Sequence, residues 1–176
     1  MNGVLEWVAM YGTGNPKKVQ EQVLKNILRI LKPNGTLYIG IENRLSYRHF
    51  AGHYDPHIDL VFITLMPRIL ANLYSKLFTG KGYRTYIYSY NGYINLLKKL
   101  GYKKIEPYNV LPDYNVPTYI VPINGNNVYG YLINQFRSPQ NNFITNIALS
   151  AVKVLVKFGI IKYLLPAYII FAKNES

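Results

Sequence analysis

The chain contains no cysteine, which excludes disulfides and thiolate metal sites without identifying a compartment. Acidic residues are scarce, 8 against 20 Lys and Arg, so the net charge is +12. A surface of that sign attracts anionic partners, whether nucleic acid, phosphorylated sugars or lipid headgroups. Dense basic blocks and Lys/Arg–aromatic strand motifs are both missing. The charge therefore reads as a Lys-rich solvated surface, and nucleic acid is not an expected partner. There is no internal repeat and no low-complexity tail. No basic, apolar leader opens the sequence, so a cytoplasmic location is the expectation. The longest apolar stretch, residues 143–165, is interrupted by Lys153, Lys157, Gly159 and Lys162. That pattern points to a buried or membrane-surface helix and not to a span.

What is present describes a globular domain. Hydrophobic residues make up 49% of the 176 and charged residues only 16%, enough for one domain with a real core. Eighteen tyrosines serve as amphipathic core and rim residues.

The chain is organised around LKPNGTLYIGIENR, residues 31–44. Proline cannot continue the preceding helix and glycine accepts positive φ, so Pro33-Asn34-Gly35 reads as a turn. Thr36 to Ile41 is nearly continuous in apolar residues, as in a parallel strand covered on both faces. At its carboxyl end the character flips to Glu42, Asn43 and Arg44. Open α/β sheets bind ligands there, so these three are candidate substrate contacts.

Upstream, Asn15 caps a helix with Pro16 at its first position. Val19, Val23, Leu24, Ile27, Leu28 and Leu31 form its apolar face. Downstream, residues 46–59 form a polar loop holding all three histidines. Pro67 opens or kinks a helix to about Phe78, with Ile69, Leu70, Leu73 and Leu77 on one face. Residues 81–88 read as a short strand or extended segment. Ser89 caps a helix whose apolar face is Tyr93, Leu96, Leu97 and Leu100, and Gly101 ends it. A strand is expected over 102–110, then a proline-spaced loop or edge-like segment to Pro122. A short helix over 128–136 follows. Asn142 caps a longer one, with Ile144, Ile147, Ala148, Ala151, Val152 and Leu155 facing inward. Residues 167–172 form a last strand.

This order of elements resembles the C-terminal half of the Rossmann-like S-adenosylmethionine-dependent methyltransferases. NGVLEWV at 2–8 is similar to the end of that family's fourth strand and its following loop, a hydrophobic run usually ending in Leu-Glu-His. Here Leu5, Glu6 and Trp7 stand in those places, and the common histidine is absent. ENR at 42–44, the loop GHYDPHID, MPRILANLY and YRTYIYS resemble more closely the methyltransferases encoded among surface-polysaccharide and glycosyltransferase genes. The resemblance spans nearly all of the chain.

It implies an α/β fold: a partial Rossmann-like sheet with an antiparallel last strand and helical insertions, in a single domain over 1–176. Residues 111–165 would be an insertion between the last two strands. S-adenosylmethionine is the implied cofactor, with Asn2, Gly3, Leu5, Glu6 and Trp7 beside it. A sugar-containing or other small acceptor would meet Glu42, Asn43 and Arg44, with Arg68, Tyr83 and Arg84 as further contacts. Arg44 could grip a phosphate or carboxylate through its planar fork. His53, Asp55 and His57 alternate, so in an extended strand they would share one face and could deprotonate a hydroxyl or hold a metal. The acceptor base is the role carried forward, with no metal expected.

The family's glycine-rich cofactor loop and acidic ribose contact are not in the sequence. Gly12-Thr13-Gly14 is a lone Gly-x-Gly before a Pro-opened helix and reads as a turn. The resemblance therefore implies that the first strands lie upstream of residue 1. The isolated chain is then expected to need that half, to self-associate through an exposed sheet edge, or to be poorly soluble. A second reading is a non-catalytic binding module, or a subunit pairing with a separately encoded cofactor-binding half.

Overall fold

A computed structural model describes residues 1–135 and 143–174. The fold is mixed α/β. A four-residue helix α1 (Val8–Tyr11) leads to α2 (Pro16–Ile30), whose first turn is capped by Asn15 Oδ1 accepting from the Lys17 and Lys18 amides at 3.0 and 3.4 Å. The turn into β1 (Thr36–Glu42) is made differently from the expectation. Asn34, not Gly35, takes the positive φ of 60°. Gly35 is there for space, because a Cβ would lie 2.7 Å from the Lys32 carbonyl oxygen.

After β1 come α3 (Tyr47–Phe50), α4 (Arg68–Thr79) and α5 (Tyr90–Leu100), then β2 (Ile105–Leu111) and β3 (Tyr119–Pro122). Two further helices, α6 (Asn126–Gln135) and α7 (Phe143–Lys157), precede a 3-10 turn (Ile161–Tyr163) and β4 (Ala167–Lys173). Asn142 and Phe136 lie outside the described residues. Ser89 occupies the N-cap position of α5, but its side chain makes no capping bond. Gly101 ends that helix in the left-handed region at φ 103°.

The sheet order is β1-β4-β2-β3 with every neighbouring pair antiparallel. The parallel pairing expected of β1 is therefore corrected: its main partner is the reversed β4, in register from Thr36↔Lys173 to Glu42↔Ala167. Because β2 is also antiparallel to β4, β1 and β2 run in the same direction with β4 between them. On its far edge β1 pairs in parallel with the first residues of the chain. The Gly3 amide donates to the Gly40 carbonyl at 2.9 Å, and the Gly40 amide to the Met1 carbonyl at 2.8 Å.

Period-2 alternation sends Leu37, Ile39 and Ile41 into one core with Leu24 of α2 and Tyr93, Leu96, Leu97 and Leu100 of α5. Tyr102 OH donates to the Leu24 carbonyl at 2.9 Å and ties the end of α5 to α2. On the opposite face Tyr38, Phe171 and Tyr108 meet edge-on across the strands, at ring separations of 5.6 and 5.8 Å. A second core joins Val121 to Tyr129, Leu132, Ile133 and Val156.

Two expectations become specific here and one, for α7, changes. Residues 81–88 are extended but pair with no strand; side chains replace the ladder. Arg68 donates to the Tyr83 and Thr85 carbonyls, Asn72 Oδ1 accepts from the Tyr83 amide, and Gln20 donates to the Tyr86 carbonyl. The α4 face of Ile69, Leu70, Leu73 and Leu77 is exposed, while Ala71 and Ser75 are buried. In α7, Ile147, Ala148 and Ala151 are exposed; the inward side is Val156 with the half-buried Leu149, Val152 and Leu155. Apolar periodicity gives a helix its stripe but not the direction in which the stripe points.

Gln20 is the pivot between helix, N-terminal loop and extended segment. Its buried Nε2 donates to the Leu5 and Tyr86 carbonyls, both at 2.8 Å. Removing it orphans two carbonyls, so Gln20→Ala is expected to lower the urea-unfolding free energy by about 2–3 kcal/mol.

Candidate functional site

Parallel strands place their carboxyl ends on one side of a sheet, and here three segments deliver polar groups there. The N-terminal residues lead to Leu5, Glu6 and Trp7, β1 ends at Glu42, and β2 leads into Asp113 and Tyr114. Tyr114 OH donates to Glu6 Oε1 at 3.1 Å. Its ring lies over Gly3 and Gly40, where added Cβ atoms would come to about 3 Å of the ring. Glycine is thus needed at both positions for close approach. Asn2 borders the same spot, bridged to Gly40. Leu5 is buried in the core and its carbonyl accepts from Gln20.

The histidine loop folds back over this side. The sequence suggested an extended run with His53, Asp55 and His57 on one face, but residues 56–58 turn. His53 is left on the rim while His57 doubles back onto Asp55. The Asp55 carboxylate accepts from the His57 amide at 2.8 Å, faces His57 Nδ1 at 2.9 Å and accepts from Tyr83 OH at 2.6 Å. Pro56 forces this break in alternation. The His57 ring packs against Trp7, with centroids 4.6 Å apart.

A cleft of about 350 Å³ opens beside the turn, lined by Glu42, Arg48, His49, His53, Tyr54, Asp113 and Asn115 among others. Arg48 is paired with Asp113 at 3.4 Å. Glu42 Oε2 is buried with no hydrogen-bond partner, and so is Glu6 Oε2.

Electrostatics follow from burial. Desolvation pushes the Glu42 carboxyl up from 4.5 to about 7, against the opposing pull of His57 and with added repulsion from Glu6, Asp55 and Asp113. Burial likewise raises Glu6, although its hydrogen bonds to backbone and Tyr114 oppose this. Burial would lower His57, but its bond to Asp55 and the charges of Asp55, Glu42 and Glu6 outweigh burial and raise it above 6.5. Burial would raise Asp55, yet the bonds from His57 and Tyr83 prevail and hold it below 3.8. At neutral pH the cleft therefore contains a carboxyl poised to gain or lose a proton, with a carboxylate–imidazole pair behind it.

The remaining expected substrate contacts bind the protein itself. Asn43 is fully buried, donating to the Tyr163 and Leu165 carbonyls at 2.7 and 2.8 Å and accepting from the Leu45 amide. Arg44 donates to the Thr64 and Met66 carbonyls at 2.8 and 2.9 Å, so its fork is not free for a phosphate. Arg68 lies 4.7 Å from both the Tyr83 and Tyr86 ring centroids. Arg84 clamps the carbonyls of Ala9, Gly12 and Gly14. Carbonyls in irregular segments need donors, and the five-donor guanidinium supplies several at once. Tyr83 is buried as the support of Asp55. Tyr114 is the residue that sequence reasoning missed; it sits in a proline-spaced stretch with no periodicity to mark it. Among the described residues no group of three or more His, Asp or Glu side chains is arranged to hold a metal.

The pKa shifts have a sign for stability. Glu42, Glu6 and His57 all bind protons more tightly folded than unfolded. Their contributions are present at low pH and are lost as pH rises, for Glu42 between 4.5 and about 7. Asp55 acts oppositely, losing stability only as pH falls through its depressed value. Thermal unfolding is therefore expected at a higher Tm near about pH 5.5 than near about pH 8. Glu42→Gln is expected to flatten this slope, raising Tm at the alkaline end by about 3–6 °C; calorimetry across pH checks it.

In comparisons with known proteins, no family model, no curated protein and no solved structure matches the chain.

Proposed function

We propose that this chain carries the acceptor side of an S-adenosylmethionine-dependent methyltransferase that acts on a hydroxyl of a neutral, sugar-like acceptor. The observation that carries the reading is Glu42. It is a largely buried carboxyl at the carboxyl end of β1, with one oxygen unpartnered and its pKa near neutral, lining a cleft. The antiparallel β4 between two like-directed strands, and the Leu5-Glu6-Trp7 run beside β1, support the family resemblance.

Charge favours the donor. Half of the 8 acidic residues, Glu6, Glu42, Asp55 and Asp113, interact around Glu42 in a chain of net charge +12. A focus of negative charge suits a cationic sulfonium. It does not suit an anionic acceptor, since the neighbouring arginines are committed to carbonyls or to Asp113. Polyols fit better: Glu42, Asn115 and His53 offer hydrogen-bonding groups, and the exposed Tyr54 ring offers a stacking face.

When bound, the cofactor supplies an electrophilic methyl group for in-line displacement. Glu42 accepts the proton of the attacking hydroxyl, and His57, oriented by Asp55, stabilises the resulting charge distribution. Trp7 and Glu6 flank the donor, where an aromatic face and a carboxylate both stabilise positive charge.

Trp7 is the single tryptophan of the chain, so its emission reports on the donor side directly. Titration with S-adenosylmethionine is expected to change that emission saturably in the millimolar range, the weak affinity reflecting the lack of a glycine-rich loop. Transfer of labelled methyl from S-adenosylmethionine to surface-glycan hydroxyls is expected to fall about 10²–10⁴-fold in Glu42→Gln. The emission change should persist in that variant. Absence of both a saturable change and methyl transfer would overturn the reading.

A further inference from the structure

Helix α4 is amphipathic in the reverse sense to a helix packed on a core. With about 100° between successive residues, Ile69, Leu70, Leu73 and Leu77 fall within one quadrant, and Ala71 and Ser75 lie on the opposite side. The small residues are the buried ones. The large apolar ones stand in solvent, with Ile69 84%, Leu70 54%, Leu73 54% and Leu77 73% exposed. Phe78, 69% exposed at the helix end, lies off this stripe with its ring edge-on to Tyr74 at 4.9 Å. A contiguous apolar stripe aimed away from the domain needs a cover.

The charge around it identifies the cover. Between Asp59 and Glu106 the sequence contains no acidic residue, and Arg68 and Arg84 in that stretch spend their forks on carbonyls, which leaves Lys76 and Lys81 as the charges at the helix. Lys76 borders the stripe on the helix surface, and Lys81 follows the Gly80 cap; both are exposed. Apolar residues on one face with lysines at its margin, and no acid to repel phosphate, are the chemistry of a helix lying in an anionic lipid interface. A partner protein or second copy covering so basic a patch would need a compensating acidic rim. The chain's own acids are few, and half of them gather around Glu42.

Length fixes the mode. The 12 residues of α4 extend about 18 Å, well short of the roughly 30 Å hydrocarbon core. Among the described residues no helix is long and apolar enough to cross a membrane. We propose that α4 is an interfacial anchor, laying Ile69, Leu70, Leu73 and Leu77 into the surface of an anionic bilayer. The proposal is independent of the methyltransferase reading.

A second outward stripe, Ile147, Ala151, Val154 and Phe158 along α7, also lies in an acid-free stretch, with Lys153 and Lys157 nearby. At about 100° per residue Lys153 and Lys157 fall roughly 60° or more from that stripe, against about 20° between Lys76 and Ile69, so it lacks flanking charge and serves as the internal comparison.

The test is co-sedimentation of the protein with vesicles of phosphatidylglycerol and phosphatidylcholine, against phosphatidylcholine alone. Binding to the anionic vesicles is expected to be at least about tenfold stronger and to weaken with salt. Leu73→Glu/Leu77→Glu, changing two exposed positions, is expected to lose that binding about tenfold or more with Tm unchanged. Val154→Glu/Phe158→Glu is expected to retain it. Equal binding by wild type and the α4 variant would overturn the proposal, as would loss confined to the α7 variant. So would a wild-type dimer, seen by light scattering, that the α4 variant dissociates without any lipid binding.

Discussion

The hydrogen bonding of β4 on both edges is the constraint from which the rest of the molecule follows. Residues 167–173 pair with β1 on one side and β2 on the other, although they come last in the chain. Because β4 is reversed, its two neighbours must run alike. Their carboxyl ends then emerge on one side of the sheet, and that alone brings Glu42 near Asp113 and Tyr114, more than 70 residues away. Asn43 locks the arrangement by holding the carbonyls just before β4. The segment between β2 and β4 first returns as β3 along the free edge of β2 and then carries α6 and α7 outside the sheet.

Around that edge the protein meets its backbone hydrogen-bonding needs in an unusual way. Large parts of residues 1–14, 51–66 and 81–88 are irregular, and irregular backbone leaves carbonyls without ladder partners. Arg44, Arg68, Arg84 and Gln20 fill that role, each donating to two or more of them, and Asn43 does the same for the Tyr163 and Leu165 carbonyls before β4. Polar residues that look like ligand contacts in a linear reading are therefore structural struts. The carboxylates receive fewer donors. Glu6 and Glu42 each keep a buried oxygen without a partner, and this is what distinguishes them from the arginines as candidate reactive groups.

The legible parts of the sequence were those written in local rules. The Asn15-Pro16 start of α2, the strand at 36–42, the Gly101 stop and the apolar face of α5 each depend on neighbours a few residues apart. Strand partners did not follow, because nothing in Thr36–Ile41 says whether its neighbour is parallel. Nor did the orientation of α4: its apolar stripe is plain, but whether it faces core or solvent depends on Ala71 packing with Tyr83 and Ile63 and on Ser75 donating to the Lys81 carbonyl. At the site, the acidic tip of β1 could be named from the sequence, but the alternation that put His53, Asp55 and His57 on one face gave way to a turn that brings only His57 onto Asp55. The use of the arginines could not, since each of their carbonyl partners lies 15 or more residues away and carries no side-chain signature.

A basic protein with a buried acidic focus stands in tension with itself, and the sign of that tension bears on its chemistry. Desolvation of Glu6 and Glu42, which the charge of His57 offsets only in part, destabilises the fold at neutral pH and above. A methionine, glutamine or leucine at either place would relieve this, so the two carboxyls cost the fold stability. The arginines that could have neutralised them lie within the same region yet point their forks at carbonyls. Arg48, which lines the cleft, is paired with Asp113 instead. What results is a site whose field is negative while the rest of the surface is positive. On the reading proposed above, such a site would receive a cation by attraction and hold a hydroxyl beside a carboxyl whose pKa burial has raised to about 7.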